Sequence, residues 1–212
     1  MLLTFFQNQD LNTLVISAII MVIALIVHNI VQTWVASRYG DNTARFAGFL
    51  RFDPQQQLEP IGVLFLFLLG FGWPRAIPTN SRNYPGRGRQ EALVWYSGPL
   101  SYLGMAFLSY LVGVIFLRLE RQDLAVAFLA AGDYAVLHAV INLFPVYPLD
   151  GAKAALAWGN ANVRRIVQQV ASYGFIGIIV IFIVLSYTGI TGAIINLFRS
   201  LLLGLLRLIP GL

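Results

Sequence analysis

LNTLVISAIIMVIALIVHNIVQTWVASR, residues 11–38, carries no Asp, Glu, Lys or Arg before its closing arginine. About 20 apolar residues in a helix cross the hydrocarbon of a bilayer, so this run is long enough to be a membrane span. Two further stretches repeat the pattern: no charged residue falls between Glu91 and Arg118, nor between Arg165 and Arg199. Of the 212 residues, 58% are hydrophobic and only 11% are charged, whereas soluble domains carry about a quarter charged residues. The expected fold class is an α-helical polytopic membrane protein. It forms a single integral domain over residues 1–212, with spans at 11–36, 92–117, 124–147 and 170–187. The tail, 190–209, is either a further span or an interfacial helix. The first apolar run lacks a basic leader and a small-residue cleavage site, so it reads as a retained span rather than a signal peptide.

Residues 60–73 are apolar but too short to cross comfortably, as re-entrant or interfacial segments are. Charge counting sharpens this. If 60–73 dips and returns while the tail crosses, Arg38, Arg45, Arg51, Arg75, Arg82, Arg87, Arg89, Lys153, Arg164, Arg165 and Arg207 share one face, and the other keeps only Arg118 and Arg121. The positive-inside rule then puts the basic loops in the cytoplasm and favours a re-entrant element after the first span. The net charge of +5 is absorbed by this topology. No basic-aromatic stripe points to nucleic acid. The absence of cysteine excludes disulfides, thiolate-bound zinc and cysteine nucleophiles.

Ionisable residues within apolar spans are costly and mark candidate sites. Here they are His28 in the first span, Asp133 and His138 in the third, and Asp150 just past it. His28 lies ten residues before Arg38, about 15 Å from that end of a helix. An unwound Pro145–Pro148 segment would carry Asp150 inward from the same side. A His and an Asp brought together there are half of a metal site, set against a neutral His hydrogen-bonded to a neighbouring helix, since two ligands do not make a zinc site. Asp133 and His138 leave open a small channel or proton-coupled carrier, set against a carboxyl that bonds a facing helix. Gly98, Gly104 and Gly113 read as close helix packing, and Trp34, Trp73, Trp95 and Trp158 as interfacial anchors.

Asn142-Leu143-Phe144-Pro145-Val146-Tyr147-Pro148-Leu149-Asp150-Gly151 resembles the N-x-x-P-x-x-P-L-D-G signature of the site-2 protease family of intramembrane zinc metalloproteases. Four further stretches resemble short bacterial members in the same order: residues 36–45 (A-x-x-x-G-D-x-T-A-R), 59–62 (D-P-x-G, with Glu59 for Asp), 71–80 (F-G-W-x-x-P-V-P-V-N) and 97–100 (A-G-P-L). The resemblance covers about half the chain, from Ala36 to Gly151 together with the helix before it. It implies a core of three helices plus one or two C-terminal helices, and a membrane hairpin that cradles an unwound substrate segment. Residues 50–70 are the candidate substrate-side element.

The catalytic motif departs from the family. Its H-E-x-x-H helix supplies two zinc ligands on one face and a general base, and the aspartate of L-D-G completes the site. The corresponding run here is His28-Asn29-Ile30-Val31-Gln32. Asn29 has no proton-accepting group of useful pKa, and Gln32 offers only a neutral amide oxygen, a poor zinc ligand beside imidazole. Loss of a general base alone removes about 10² to 10⁴ in rate. Gln57 replaces a family histidine and Tyr102 an asparagine; Glu59 is not placed as a substitute base. The site residues thus read as a vestigial metal set, His28, Gln32 and Asp150, with no catalytic residue and with Asp133, His138, Asn142 and Glu59 as accessory polar groups. No cofactor is expected; zinc belongs only to a retained site. The expected function is that of a pseudoprotease which binds or regulates transmembrane segments of partner proteins in the lipid bilayer. The alternative is an active intramembrane zinc metalloendopeptidase. Oligomeric state is not legible.

Overall fold

The computed structural model describes residues 11–173 and 187–208. Three long apolar helices dominate: α1 (Leu11–Arg38), α5 (Gly88–Arg118) and α6 (Gln122–Leu143). Their 28, 31 and 22 residues correspond to about 42, 46 and 33 Å at 1.5 Å per residue, against a hydrocarbon core of about 30 Å. The chain is therefore a multi-pass integral membrane protein. Between α1 and α5 lie three short helices, α2 (Thr43–Phe46), α3 (Pro54–Gln57) and α4 (Pro60–Leu69). After α6 come α7 (Asp150–Trp158), α8 (Ala161–Ser172) and α9 (Ile190–Leu206). The span expected at 170–187 lies almost entirely outside the described residues.

Small side chains let the three long helices pack closely. Ala24 and Leu25 of α1, Tyr102, Ala106 and Tyr110 of α5, and Ala135, Val136, Ala139 and Val140 of α6 form one buried cluster. In a bilayer, apolar burial supplies little drive between helices, so contact of this kind must. The expected third span, 124–147, ends as a helix at Leu143, because Pro145 and Pro148 cannot continue the ladder. The second span begins four residues earlier than its apolar run, at Gly88.

A second cluster, with Ala36, Phe49, Ile77, Tyr84, Val94 and Ala154, ties one end of α1 to the start of α5, to α7 and to the loops. Asp41 organises those loops. Its carboxylate accepts the backbone N–H groups of Thr43 (3.1 Å) and Asn80 (2.8 Å), the Asn83 amide (2.9 Å) and the Tyr84 hydroxyl (3.2 Å). Burial raises the Asp41 carboxyl, but the bonds from Thr43, Asn80 and Asn83 outweigh it and hold the group below the usual carboxylate range.

Residues 58–74 form an excursion that closes on itself. Pro60 opens α4 at a position where a missing N–H costs nothing. Gly70 ends it in the left-handed region, at φ 71°, and Leu58 then pairs antiparallel with Pro74. The return strand lies directly on α4: a Cβ at Gly62 would stand 2.1 Å from the Trp73 carbonyl oxygen.

Candidate functional site

The helical register of α1 puts His28 and Gln32 on one face, one turn apart, turned into the bundle and almost fully buried. Asp150 reaches them from the other side. The chain unwinds after Leu143, and α7 starts at Asp150, which brings this carboxylate to 2.8 Å from His28 Nε2. The two residues singled out as half of a metal site are thus in direct contact across 122 positions of sequence. Gln32 Nε2 donates to the same oxygen, Asp150 Oδ2, at 2.9 Å.

Helix α5 closes the third side. Pro99 has no N–H, so the Trp95 carbonyl four residues earlier loses its helical partner. Gln32 Nε2 lies 3.3 Å from that oxygen and donates to it. Gly98 makes the approach possible: a Cβ there would stand 2.3 Å from His28 Nε2 and 2.4 Å from Gln32 Nε2. Lys153, one turn along α7, lies 3.4 Å from Asp150 Oδ1 and 4.4 Å above the Trp95 ring. Burial raises the Asp150 carboxyl, but the charge and hydrogen bond of His28, with Lys153 behind it, outweigh burial and hold the group low.

Asn29 faces the loops instead. Its Nδ2 donates to the carbonyls of Arg75 (2.8 Å) and Gln57 (3.4 Å), the two chain segments that flank the Leu58–Pro74 bridge. Its Oδ1 lies 3.2 Å from His28 Nδ1, so both ring nitrogens of His28 face oxygen acceptors. Gln57, fully buried, donates from Nε2 to the carbonyls of Phe49 (2.8 Å) and Arg51 (3.0 Å). The three carboxamides at 29, 32 and 57 therefore act alike. Each NH₂ group serves two oxygen acceptors and fastens α1 or α3 to a neighbouring segment.

His28, Gln32 and Asp150 meet one another through hydrogen bonds. Zinc ligands at about 2.0–2.2 Å in a tetrahedron stand about 3.3–3.6 Å apart, whereas His28 Nε2 and Gln32 Nε2 lie 2.8 and 2.9 Å from Asp150 Oδ2. Gln32 presents hydrogens, not a lone pair, to the point a metal would share. Turning its amide over would set oxygen against the Trp95 carbonyl and the Asp150 carboxylate. Among the described residues, no three His, Cys, Asp or Glu side chains converge as a metal group.

The accessory residues lie elsewhere. His138 stands in a line of rings, 5.4 Å from Tyr102, which itself stacks on His28 at 4.8 Å. Its Nδ1 donates to the Tyr134 carbonyl (2.7 Å) and its Nε2 accepts the Gly72 N–H (3.1 Å), so it pins the return strand to α6. Asn142 donates back to the His138 carbonyl at 2.9 Å. Glu59 caps α4 by position without a side-chain bond, and among the described residues no hydrogen bond or ion pair joins it to His28 or Asp150. Asp133 pairs with the Tyr110 hydroxyl (2.7 Å) and with Arg199 of α9 (3.2 Å). Sequence reasoning missed Lys153 and the freed Trp95 carbonyl; the second was signalled by Gly98-Pro99, since a proline at i+4 always releases the carbonyl at i.

The chain is 31% identical over 173 residues to a protein of Bacillus subtilis (strain 168) named "Putative zinc metalloprotease YwhC", with 78% of each chain covered. The chain belongs to the YwhC/Rip2 zinc-metalloprotease family. Two proteins named "Putative zinc metalloprotease Rip2" are also similar. That of Mycolicibacterium smegmatis is 28% identical over 174 residues, which cover 76% of this chain and 63% of its own. That of Mycobacterium tuberculosis (strain H37Rv) is 26% identical, over 79% and 66%. The chain therefore spans about two thirds of the Rip2 proteins and more of YwhC. No protein-family model and no solved structure matches the chain.

Proposed function

We propose that this YwhC/Rip2 relative is a pseudoprotease: a site-2-protease-like membrane scaffold that binds or regulates transmembrane segments of other proteins and cleaves none. The observation that carries the reading is the use of Gln32 and Asn29. Both amide groups serve carbonyl and carboxylate acceptors, one at the ligand position and one at the general-base position, so neither position offers a group to hold a divalent ion or to take a proton from water. Residues 60–73 act as a re-entrant element, a reading supported by the Leu58–Pro74 bridge that closes its two ends, and the basic loops lie on the cytoplasmic side. The partner is a transmembrane segment that unwinds against residues 50–70, in keeping with the backbone pairing such hairpins offer.

Elemental analysis of protein purified from membranes without chelator tests this. The expected zinc content is far below one per chain, and co-purification of a membrane partner persists in EDTA. The alternative, an active zinc metalloendopeptidase, draws on the preserved His28–Asp150 pair and on the family's name. Stoichiometric zinc that disappears in His28→Ala would make it the better reading.

A further inference from the structure

Asp133 is the twelfth of the 22 residues of α6, so it lies about 15–17 Å from either end of that helix, at the middle of a span. Arg199 meets it there from α9. The two charges satisfy each other, yet they are not enclosed: their side chains are 39% and 45% exposed. Hydrocarbon is a poor medium for either group, and ionisable residues at this depth face protein or water. The adjoining side of α9, about 100° further round the helix than Arg199, continues this character. Asn196, Ser200 and Gly204, at i, i+4 and i+8, are exposed and share one helical stripe. Among the described residues nothing stands within 4 Å of a Cβ built at Gly204. Polar and small residues on such a stripe are what helix pairing in membranes uses.

We propose that this face of α6 and α9 is the contact between two copies of the chain. The charge pattern selects that occupant. The patch holds one anion and one cation side by side and is neutral in sum. A two-fold axis matches such a patch to itself, because each residue i that meets j is repaid by j meeting i. Arg199 of one copy then approaches Asp133 of the other, the two ion pairs merge into a closed four-charge cluster, and Asn196 and Ser200 find partners across the axis.

The chain has no cysteine, so a single introduced cysteine reports directly on a second copy. Ser200→Cys in native membranes, under mild oxidation, should yield a disulfide-linked species of twice the chain mass. Leu108→Cys, also at an exposed position (53%) but on α5, should yield several-fold less. In the Ser200→Cys background, Arg199→Leu should drop the crosslink to the Leu108→Cys level, and the exchange Asp133→Arg with Arg199→Asp should restore it. Gly204→Leu leaves the ion pair intact and blocks close approach, so it should lower the crosslink even where Arg199→Leu fails to accumulate. Crosslinking at position 200 no stronger than at 108 overturns the proposal. So does crosslinking that survives Gly204→Leu unchanged, which would show that copies meet without close approach along this stripe.

Discussion

Replacing Gln32 with alanine removes one NH₂ group and two bonds. The first, 2.9 Å to the Asp150 carboxylate, is charge-assisted and contributes about 1.5–3 kcal/mol. The second is weaker at 3.3 Å, but its loss orphans the Trp95 carbonyl, which Pro99 has already cut off from its helical donor. An unsatisfied buried acceptor costs about 1–3 kcal/mol. Together the variant should lose about 3–5 kcal/mol, which for a chain of this size corresponds to roughly 6–20 °C in Tm. Thermal scans of the detergent-purified protein, followed by tryptophan fluorescence with and without EDTA, read both halves of the argument. The wild-type midpoint should be indifferent to chelator, and Gln32→Ala should fall by the stated amount in either condition. A wild-type midpoint that drops in EDTA, or an alanine variant as stable as its parent, would refute the assignment of Gln32 as a metal-free crosslink.

Other consequences can be checked in the same scans. Asn29→Glu, which restores the family's acid in isolation, should destabilise by about 2–4 kcal/mol, because a carboxylate would face the Arg75 and Gln57 carbonyls in place of a donor. Gly98→Ala should prevent normal assembly of α5 on α1, since its Cβ meets His28 and Gln32 well inside contact distance; yield of monodisperse protein on size exclusion reports this. His138→Phe keeps a ring beside Phe71 and Tyr102 but loses both nitrogen partners, and a cost of about 1–3 kcal/mol should appear as easier proteolysis of residues 70–75. Asp41 links stability to pH: its folded pKa is depressed, so its contribution is complete above the unfolded value of about 3.9 and fades as the pH falls through the lower folded value. Acid titration should show that loss in wild type and not in Asp41→Asn, which starts less stable.

The relation between sequence and site differs from residue to residue. His28 and Asp150 were legible as a pair because both sit in or beside apolar runs, where an ionisable group has few acceptable surroundings, and because the two prolines before Asp150 break α6 at a definite place. That 60–73 is too short to span as a helix was legible from its length, and α4 has ten residues. The roles of Asn29 and Gln57 were not. A carboxamide in a sequence declares only that it has lost an acid or an imidazole; which carbonyls it serves depends on chain segments up to 46 residues away. Asp133 bonds a facing helix through Tyr110, as its place in an apolar run suggests. Its charged partner, however, comes from a helix 66 positions later, whose apolar pattern fits a span and an interfacial helix equally.

Taken alone, the order of amino acids determined that this chain crosses a bilayer several times, that the third span breaks before its two prolines, and which ionisable groups would be confined within the spans. Hydropathy and proline act through the local chain, so they can be read locally. Tertiary structure alone decided that Gln32 donates to Asp150 and to the carbonyl that Pro99 releases, and that Arg199 meets Asp133 at mid-span. Those outcomes depend on distance and direction between groups on different helices, and a hydrogen bond exists only where both are met.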